Sequence, residues 1–307
     1  MTDRPLKLGT RNSPLAMAQA EEARARLCAA QGWDKARVEL VPVTASGDKV
    51  LDRPLAEIGG KALLTKELDA WLHAGEIDFA VHSAKDVETI RPDWIAIAAV
   101  LPREDVRDVL LGADSLSALP PGARIGTSAP RRAAQALHLR PDCTVVSFRG
   151  NVATRLGKLE AGEADATLLA AAGLNRLGKA DLGVRLDPSD WLPAPGQGAI
   201  AIECRADDEA TRGVLASIDH APSRAALIAE RALLAALGGN CHSPIAVLTT
   251  HAADSLTMRG AIFTLDGAER VEATHNFQLD DSAGPVILAR QLLALASPAI
   301  REHFEGE

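Results

Sequence analysis

The sequence predicts an α/β protein of two lobes, each a mainly parallel sheet with flanking helices, followed by a small α+β C-terminal domain. Three observations lead to this prediction. Short apolar runs alternate with helical segments along most of the chain, the alternation restarts after Pro102, and a proline- and glycine-rich segment, LPAPGQGAIAIEC, interrupts it again. Strands that are separated by helices favour parallel pairing, because parallel neighbours need a long crossover connection.

The first lobe begins with a short strand around Leu6–Leu8. It leads into Ser13 and Pro14, a helix N-cap followed by proline at the first helical position, and an alanine-rich helix follows. The run VELVPV is the second strand. After a polar stretch from Thr44 to Lys61, a helix near Leu63–Ala74 precedes the strands DFAVHS and WIAIAAV.

The second lobe repeats this order with the strand ARIGTS, a helix over Pro130–His138, the strand TVVSF, a helix capped by Asn151 and the strand ATLLA. A long helix then begins at Ala221-Pro222-Ser223. The tail from about Ile245 mixes strand-like runs such as VLTT with an apolar helix near Val286–Ala296, which is typical of a small α+β domain. We expect domain limits at 1–100 with 198–220, at 101–197 and at 221–307.

Composition narrows the classes of function. The chain has 307 residues, 47% of them hydrophobic, and a net charge of −8, which argues against a general nucleic-acid binder. No segment resembles a signal peptide or reaches transmembrane length, so we expect a cytoplasmic protein that does not bind membranes. Nothing indicates an obligate oligomer, and we expect a monomer.

The four cysteines are widely spaced and form no CxxC pair, so neither a metal site nor a disulfide framework is expected. Cys28, Cys143 and Cys204 lie in segments that predict burial, as small hydrophobic residues. Cys241 differs, because it lies in the glycine-rich turn LGGNCHSPI, where an exposed thiol could be a nucleophile or an attachment point. The alternative for Cys241 is an unused surface thiol.

Cationic side chains recur where strands pass into helices: Arg11, Lys85, Arg131, Arg132, Arg149, Arg155 and Arg176. The N-terminus of a helix already carries partial positive charge, so a cation there favours a bound anion. Thr127 or Ser128 could cap the helix that bears Arg131 and Arg132. Because parallel sheets bind ligands at the carboxyl ends of their strands, we expect these cations to converge on one polyanionic ligand, although any single arginine could be a solvated surface residue.

Asp86 follows directly after a predicted strand, in AVHSAKDV. A carboxylate beside Lys85 at the mouth of an anion-binding crevice could stabilise a developing cation or shuttle a proton. The alternatives for Asp86 are a surface residue or a helix cap. Neighbouring His82 is expected to pack or hydrogen-bond at the strand end.

Eight segments resemble, in order and spacing, the porphobilinogen deaminase family, also called hydroxymethylbilane synthases. They are GTRNSPLAMAQ, GGKALLTKELD, AVHSAKDV, REDVRDVL, GTSAPRR, FRGNVATRLGKLEAGEADATLLAAAGLNRLG, LPAPGQGAIAIECR and LGGNCHSPI. The resemblance covers about residues 6–250. It implies a three-domain fold, with two lobes similar to type II periplasmic binding proteins and a small third domain that carries the cofactor cysteine.

The resemblance also implies a transferase reaction in tetrapyrrole (heme) biosynthesis. Four porphobilinogen units condense stepwise into hydroxymethylbilane, with loss of ammonia at each addition, on a covalently bound dipyrromethane cofactor. By this resemblance Cys241 carries the cofactor through a thioether, and Asp86 is the catalytic carboxylate that acts on the pyrrole nitrogens. The expected ligands of the cofactor and substrate carboxylates are Arg11, Ser13, Lys85, Thr127, Ser128, Arg131, Arg132, Arg149, Arg155 and Arg176.

The sequence departs from the family pattern at several places. Leu64 stands where an aromatic residue is common, Ala84 where methionine is frequent, and Ala129 and Pro130 where a serine and a leucine are usual. Glu57 replaces a residue that is often basic. A second class of function, a solute-binding protein or the effector domain of a regulator, would share the two-lobed fold but would need neither Asp86 nor Cys241.

Overall fold

The computed structural model describes residues 4–44, 62–239 and 243–304. Its strands are β1 (Leu6–Arg11), β2 (Val38–Val43), β3 (Phe79–Ser83), β4 (Ile95–Val100), β5 (Asp108–Leu111), β6 (Arg124–Gly126), β7 (Thr144–Val146), β8 (Ala166–Ala170), β9 (Val184–Arg185), β10 (Ile200–Arg205), β11 (Ile245–Ala252), β12 (Ser255–Phe263) and β13 (Arg270–Gln278). Its helices are α1 (Pro14–Gln31), α2 (Ala62–Ala74), α3 (Pro130–Leu139), α4 (Val152–Glu160), α5 (Ala171–Arg176), α6 (Glu209–Leu215), α7 (Ala221–Ala236), α8 (Gly284–Leu295) and α9 (Pro298–Arg301). Short 3-10 turns lie at Lys35–Arg37, Ala84–Asp86 and Ala216–Ile218.

The first lobe is built on a five-stranded sheet with the order β2-β1-β3-β10-β4. Strand β1 pairs in parallel with β2 and β3, whereas β10 runs antiparallel to β3 and β4. Four strands therefore point the same way and β10 points the opposite way. Leu8, Leu27, Phe79 and Ile202 form part of the core between this sheet and its helices.

The second lobe repeats this pattern with the order β7-β6-β8-β5-β9. Here β5 is the strand that opposes the other four. In each lobe the opposing strand follows a crossing between the lobes. Strand β5 follows the first crossing, the segment 101–107 after β4, and β10 follows the second, the segment 186–199 after β9. The prediction of two mainly parallel α/β lobes is confirmed, and the carboxyl ends of their parallel strands are the places where a ligand site is expected.

The C-terminal part is a three-stranded antiparallel sheet, β11-β12-β13, covered by α7 and α8. Leu233, Val247, Met258, Leu288 and Leu292 belong to its core. The expected small α+β domain is therefore confirmed.

Two of the helix starts that the sequence predicted are confirmed in detail. The hydroxyl of Ser13 accepts a hydrogen bond from the amide of Ala16 at 3.4 Å, directly before α1. The side chain of Asn151 accepts one from the amide of Thr154 at 2.9 Å, directly before α4. Each bond satisfies an amide of the first turn that has no partner within the helix.

The predicted cap of α3 is wrong. Pro130 opens the helix one residue later than a cap at Ser128 would require, so Ala129 is the cap residue. Its methyl side chain makes no hydrogen bond to the first turn. The hydroxyl of Thr127 instead accepts a hydrogen bond from the amide of Ala129 at 3.2 Å. Thr127 and Ser128 therefore lie in the extended approach to the helix.

Cys28, Cys143 and Cys204 are free and buried, as the sequence predicted. Burial raises the pKa of all three thiols, that of Cys204 to about 11. These thiols are therefore poor nucleophiles. None of the helices in the described ranges combines the length and the apolar character that a membrane crossing needs.

Candidate active site

The first lobe presents its functional residues where β1 and β3 end. Arg11 is the last residue of β1, and Ser13 caps the helix that follows. Lys85 and Asp86 lie in the 3-10 turn that directly follows β3. A cavity of about 40 Å³ at this edge is lined by Arg11, Ser13, Leu15, Ala16, Gln19, Thr65, Val81, His82, Ser83 and Asp86.

The second lobe presents Arg131 and Arg132 in the first turn of α3. Each residue is only 5% exposed, and each guanidinium donates to one oxygen of Asp108 at 2.7 Å. The other terminal nitrogens donate to backbone carbonyls, Arg131 to Leu192 at 2.8 Å and Arg132 to Leu168 at 2.9 Å. The two cations are therefore fixed by contacts within the protein.

Asp108 is the first residue of β5, and none of its surface is exposed. It also accepts hydrogen bonds from Trp191 Nε1 at 2.8 Å and from Gln197 Nε2 at 2.9 Å. Burial alone would raise the pKa of this carboxyl, but the charges of Arg131 and Arg132, together with its hydrogen bonds, hold the pKa far below its usual range. Sequence analysis did not single out Asp108. The signal that could have found it is an acidic residue at the start of the apolar run DVLL.

Residues from the two lobes influence one another electrostatically. Burial, then the nearby charge of Arg132, lowers the pKa of Lys85 to about 8, against the opposing effects of Asp86 and Asp108. Burial, then Arg132, lowers the pKa of Arg155 to about 10, against the opposing effect of Asp86. Charges interact strongly only at short range in a protein. Lys85 and Asp86 of the first lobe therefore lie near the arginines of the second lobe.

Two of the converging cations have no carboxylate in direct contact within the described residues. Lys85 forms no ion pair within 4 Å in the described part of the chain. Arg155 donates from Nε to the carbonyl of Gly150 at 3.0 Å, which leaves its charge uncompensated by a direct carboxylate contact among the same residues. Within those residues, Arg132 Nε is buried and has no hydrogen-bond partner. Such a site favours an anion.

Arg176 occupies a different position from the one that the sequence predicted. It is the last residue of the short helix α5 rather than a residue near a helix start. Its side chain donates to Glu22 Oε2 at 3.2 Å and to the carbonyl of Gly198 at 3.2 Å. Because Glu22 lies on α1, this contact connects the two lobes.

The remaining candidates are distributed as follows. Arg149, between β7 and α4, is buried, and so is Thr127 of the same lobe. The hydroxyl of Ser128 lies 3.1 Å from that of Ser147. Cys241 and Glu57 lie outside the described residues, as do most of the 44–61 stretch and the side chain of Leu64.

Behind Asp86, a buried network supports the first sheet. His82 is buried, with Nε2 3.5 Å from Glu203 Oε2, in agreement with the prediction that it packs at the strand end. Burial lowers the pKa of His82, which favours the neutral ring. Glu203 accepts two hydrogen bonds from Arg91, at 3.1 and 2.9 Å, and Arg91 also pairs with Asp69 at 2.6 Å.

This geometry defines a two-lobed α/β protein that brings cationic side chains of both lobes close to Asp86 and carries a small C-terminal domain. Two family profiles match the chain: "Porphobilinogen deaminase, dipyrromethane cofactor binding domain" over residues 6–213, and "Porphobilinogen deaminase, C-terminal domain" over residues 225–294. The chain belongs to the porphobilinogen deaminase family.

Curated relatives agree with this assignment. The porphobilinogen deaminase of Sphingopyxis alaskensis is 57% identical over 309 residues, which cover 98% of this chain and 97% of the relative. That of Nitrobacter winogradskyi is 50% identical, with 92% and 90% covered. Among solved structures, a periplasmic binding protein of Salmonella typhimurium overlaps with 70% of this chain and 91% of its own, at a TM-score of 0.39 and 13% identity. That overlap is loose, and the fold class rests on the strand order of the chain itself.

Proposed function

We propose that this chain is a hydroxymethylbilane synthase, a transferase that condenses four porphobilinogen units into a linear tetrapyrrole with loss of ammonia at each addition. The observation that carries the proposal is the convergence of cations from both lobes around Asp86. Each pyrrole unit brings two carboxylates, so the lengthening chain is a polyanion. Guanidinium groups in a partly desolvated cleft suit such a ligand, because they bind carboxylates with two parallel hydrogen bonds.

The residues present fit the dipyrromethane group that belongs to this family. The unpartnered Nε of Arg132 and the ammonium of Lys85 are donors that a ligand carboxylate can use. When bound, the group supplies the primer to which substrate units are added, held through a thioether at Cys241. Arg131 and Arg132 would hold the acidic side chains of this primer, because both are anchored and do not need to move.

The other candidate ligands would bind the carboxylates of the substrate and of the growing chain. Arg149 and Arg155 flank the start of α4, and the charge of Asp86 acts on Arg155 from the other lobe. Arg11, Ser13, Thr127, Ser128 and Arg176 complete this proposed set. Arg176 would have to exchange Glu22 for a ligand carboxylate, a replacement of one carboxylate by another.

Asp86 is the proposed catalytic carboxylate. Loss of ammonia from porphobilinogen leaves an electron-poor, cationic carbon skeleton. A fixed carboxylate near the pyrrole nitrogens stabilises this cation more than it stabilises the substrate, and only such a difference accelerates the reaction. The turn that follows β3 fixes Asp86 in the chain, and the buried network of His82, Glu203 and Arg91 supports that strand.

Three further features stay predictions of this proposal. The protein works in the cytoplasm as a monomer, with porphobilinogen as its only partner and with neither nucleic acid nor membrane involved. The first lobe comprises residues 1–100 and 198–220, the second 101–197, and the cofactor-attachment domain 221–307.

The covalent link to Cys241 gives the most direct test of the function. Mass spectrometry of the denatured wild-type protein should show one adduct with the mass of a dipyrromethane, localised to the peptide that contains Cys241. Cys241→Ser should fold but lose both the adduct and the turnover of porphobilinogen. Cys143→Ala, a change at a buried thiol, should keep both.

A wild-type protein with the bare polypeptide mass that still turns over porphobilinogen would contradict the role of Cys241. A protein that binds porphobilinogen reversibly, with neither adduct nor turnover, would support the solute-binding alternative. The two failures are therefore distinct.

A further inference from the structure

We propose that Asp108 is a positioning residue for the reaction: it fixes Arg131 and Arg132 in the orientation that holds ligand carboxylates. Its negative charge also acts on Lys85 across the cleft. The inference rests on the proposed function, because it assigns those arginines to the primer. Asp108 itself is fully buried and is not expected to touch substrate.

The first support is geometric. Asp108 uses both oxygens, and each accepts one arginine and one neutral donor. Oδ2 accepts from Arg131 and Trp191, and Oδ1 accepts from Arg132 and Gln197, all within 2.9 Å. A carboxylate with four donors around it cannot rotate without breaking several bonds. The two guanidiniums are therefore held in one relative orientation.

The second support is the charge that remains. One carboxylate compensates two guanidiniums, so this cluster keeps a net positive charge in a buried place. Arg132 also keeps its buried Nε without a partner in the part of the chain that the structure describes. Asp108 thus anchors the arginines without using up their capacity to bind an anion.

The third support is where the donors come from. Arg131 and Arg132 lie on α3, whereas Trp191 and Gln197 both lie in the second crossing between lobes, the segment that connects β9 to β10. Gln197 Nε2 also donates to the carbonyl of Val106 at 2.7 Å, on the first crossing. Asp108 therefore ties the start of α3 to both connections between the lobes.

This arrangement predicts an effect on Lys85 that a purely structural residue would not have. Among the described residues, the charged groups that act most on Lys85 are Arg131, Arg132, Asp86 and Asp108, and the two carboxylates raise its pKa against burial and the arginines. Lys85 attracts ligand carboxylates only while it is protonated, so ligand binding weakens as the pH rises through about 8. Removing the negative charge of Asp108 should lower the pKa of Lys85 further and move this alkaline limb to lower pH.

The test compares wild type, Asp108→Asn, Asp108→Glu and the control Asp78→Asn. Asp78 is also a buried carboxylate paired with an arginine, Arg4, but it precedes β3 whereas Lys85 follows that strand. For each protein, intact mass gives the fraction that carries the primer. The pH profile of kcat/KM for porphobilinogen is then normalised to that fraction, and the comparison with wild type cancels the titration of the substrate.

We expect Asp108→Asn to reduce the loaded fraction and to move the alkaline limb down by about one pH unit, the usual scale for the loss of one nearby charge. Asp108→Glu keeps the charge but displaces the carboxylate by one methylene. It should leave the limb in place and lower the loaded fraction and kcat/KM, by about tenfold or more for misplaced binding groups. Asp78→Asn should change thermal stability alone.

Wild-type occupancy and an unmoved limb in folded Asp108→Asn would overturn the inference. If Asp108→Asn does not fold, Asp108→Glu decides: an occupancy and kcat/KM equal to wild type would reject the positioning role. Absence of turnover in the wild-type protein would instead contradict the proposed function.

Discussion

The start of α3 and the turn after β3 both present cations to the cleft, but they compensate buried charge in different ways. On α3, Arg131 and Arg132 share the carboxylate of Asp108 and are held at both ends of their guanidinium groups. In the turn, Lys85 has no direct carboxylate partner among the described residues, and its pKa falls to about 8. The cations of the first region therefore contact a carboxylate directly, whereas the cation of the second region does not and can lose its charge near pH 8.

This difference separates two tasks in one cleft. A group that never leaves the protein is best held by cations that are already oriented, because orientation then costs nothing at each turnover. A ligand that binds and then shifts at each addition is better bound by a cation whose protonation depends on whether a ligand carboxylate lies beside it. We therefore assign the α3 arginines to the primer and Lys85 to the arriving substrate or growing chain.

Arg132→Leu should have the largest effect on this comparison. It removes a guanidinium and leaves Asp108 with only one arginine, so we expect almost complete loss of the primer, with an apo-like mass for the denatured protein. The measurement is the loaded fraction by mass spectrometry. Arg140→Leu is the matched control, because Arg140 lies just after the other end of α3 and pairs with the exposed Asp142 at 2.8 Å.

Full occupancy and normal turnover in Arg132→Leu would mean that the α3 arginines do not hold the primer. The difference between the two regions would then concern stability alone.

Lys85→Met should have a smaller effect and of a different kind. The primer should stay attached, whereas kcat/KM for porphobilinogen at neutral pH should fall by about ten- to a hundredfold, the scale for one charged contact in a partly buried site. The alkaline limb near pH 8 should disappear, because the group that titrates there is gone. Lys7→Met, at the far end of β1, should keep the wild-type profile.

A Lys85→Met enzyme with the same alkaline limb as wild type would show that another group titrates there. Lys85 would then not be the pH-sensitive cation of the cleft.

Much of the fold was predictable because its signals are local. The caps at Ser13 and Asn151, the proline at the first position of α1 and the run ATLLA of β8 all depend on neighbouring residues in the chain. The direction of β5 and β10 was not predicted, because it depends on how the chain crosses between lobes.

The sequence indicated the cationic residues of the candidate site but not the carboxylates that they contact. Asp108 lies 23 and 24 residues before the arginines that it binds, and no local pattern indicates that pairing. The cap predicted at Thr127 or Ser128 was wrong because Pro130 fixes where α3 begins. The position of Arg176 at the end of α5, bound to Glu22 across the lobes, also depends on tertiary packing.

The central claim is that the cations of both lobes present the ligand to one catalytic carboxylate, and the single-turnover rate of Asp86→Asn tests it most directly. Wild type, Asp86→Asn and the control Asp93→Asn, a change at an exposed carboxylate, are loaded with primer and mixed with one equivalent of porphobilinogen. Asp86→Asn keeps size and removes the charge, so elongation should slow by at least about a hundredfold while the primer stays attached. An unchanged rate with only weaker binding of porphobilinogen would contradict the claim and leave Asp86 as a binding residue.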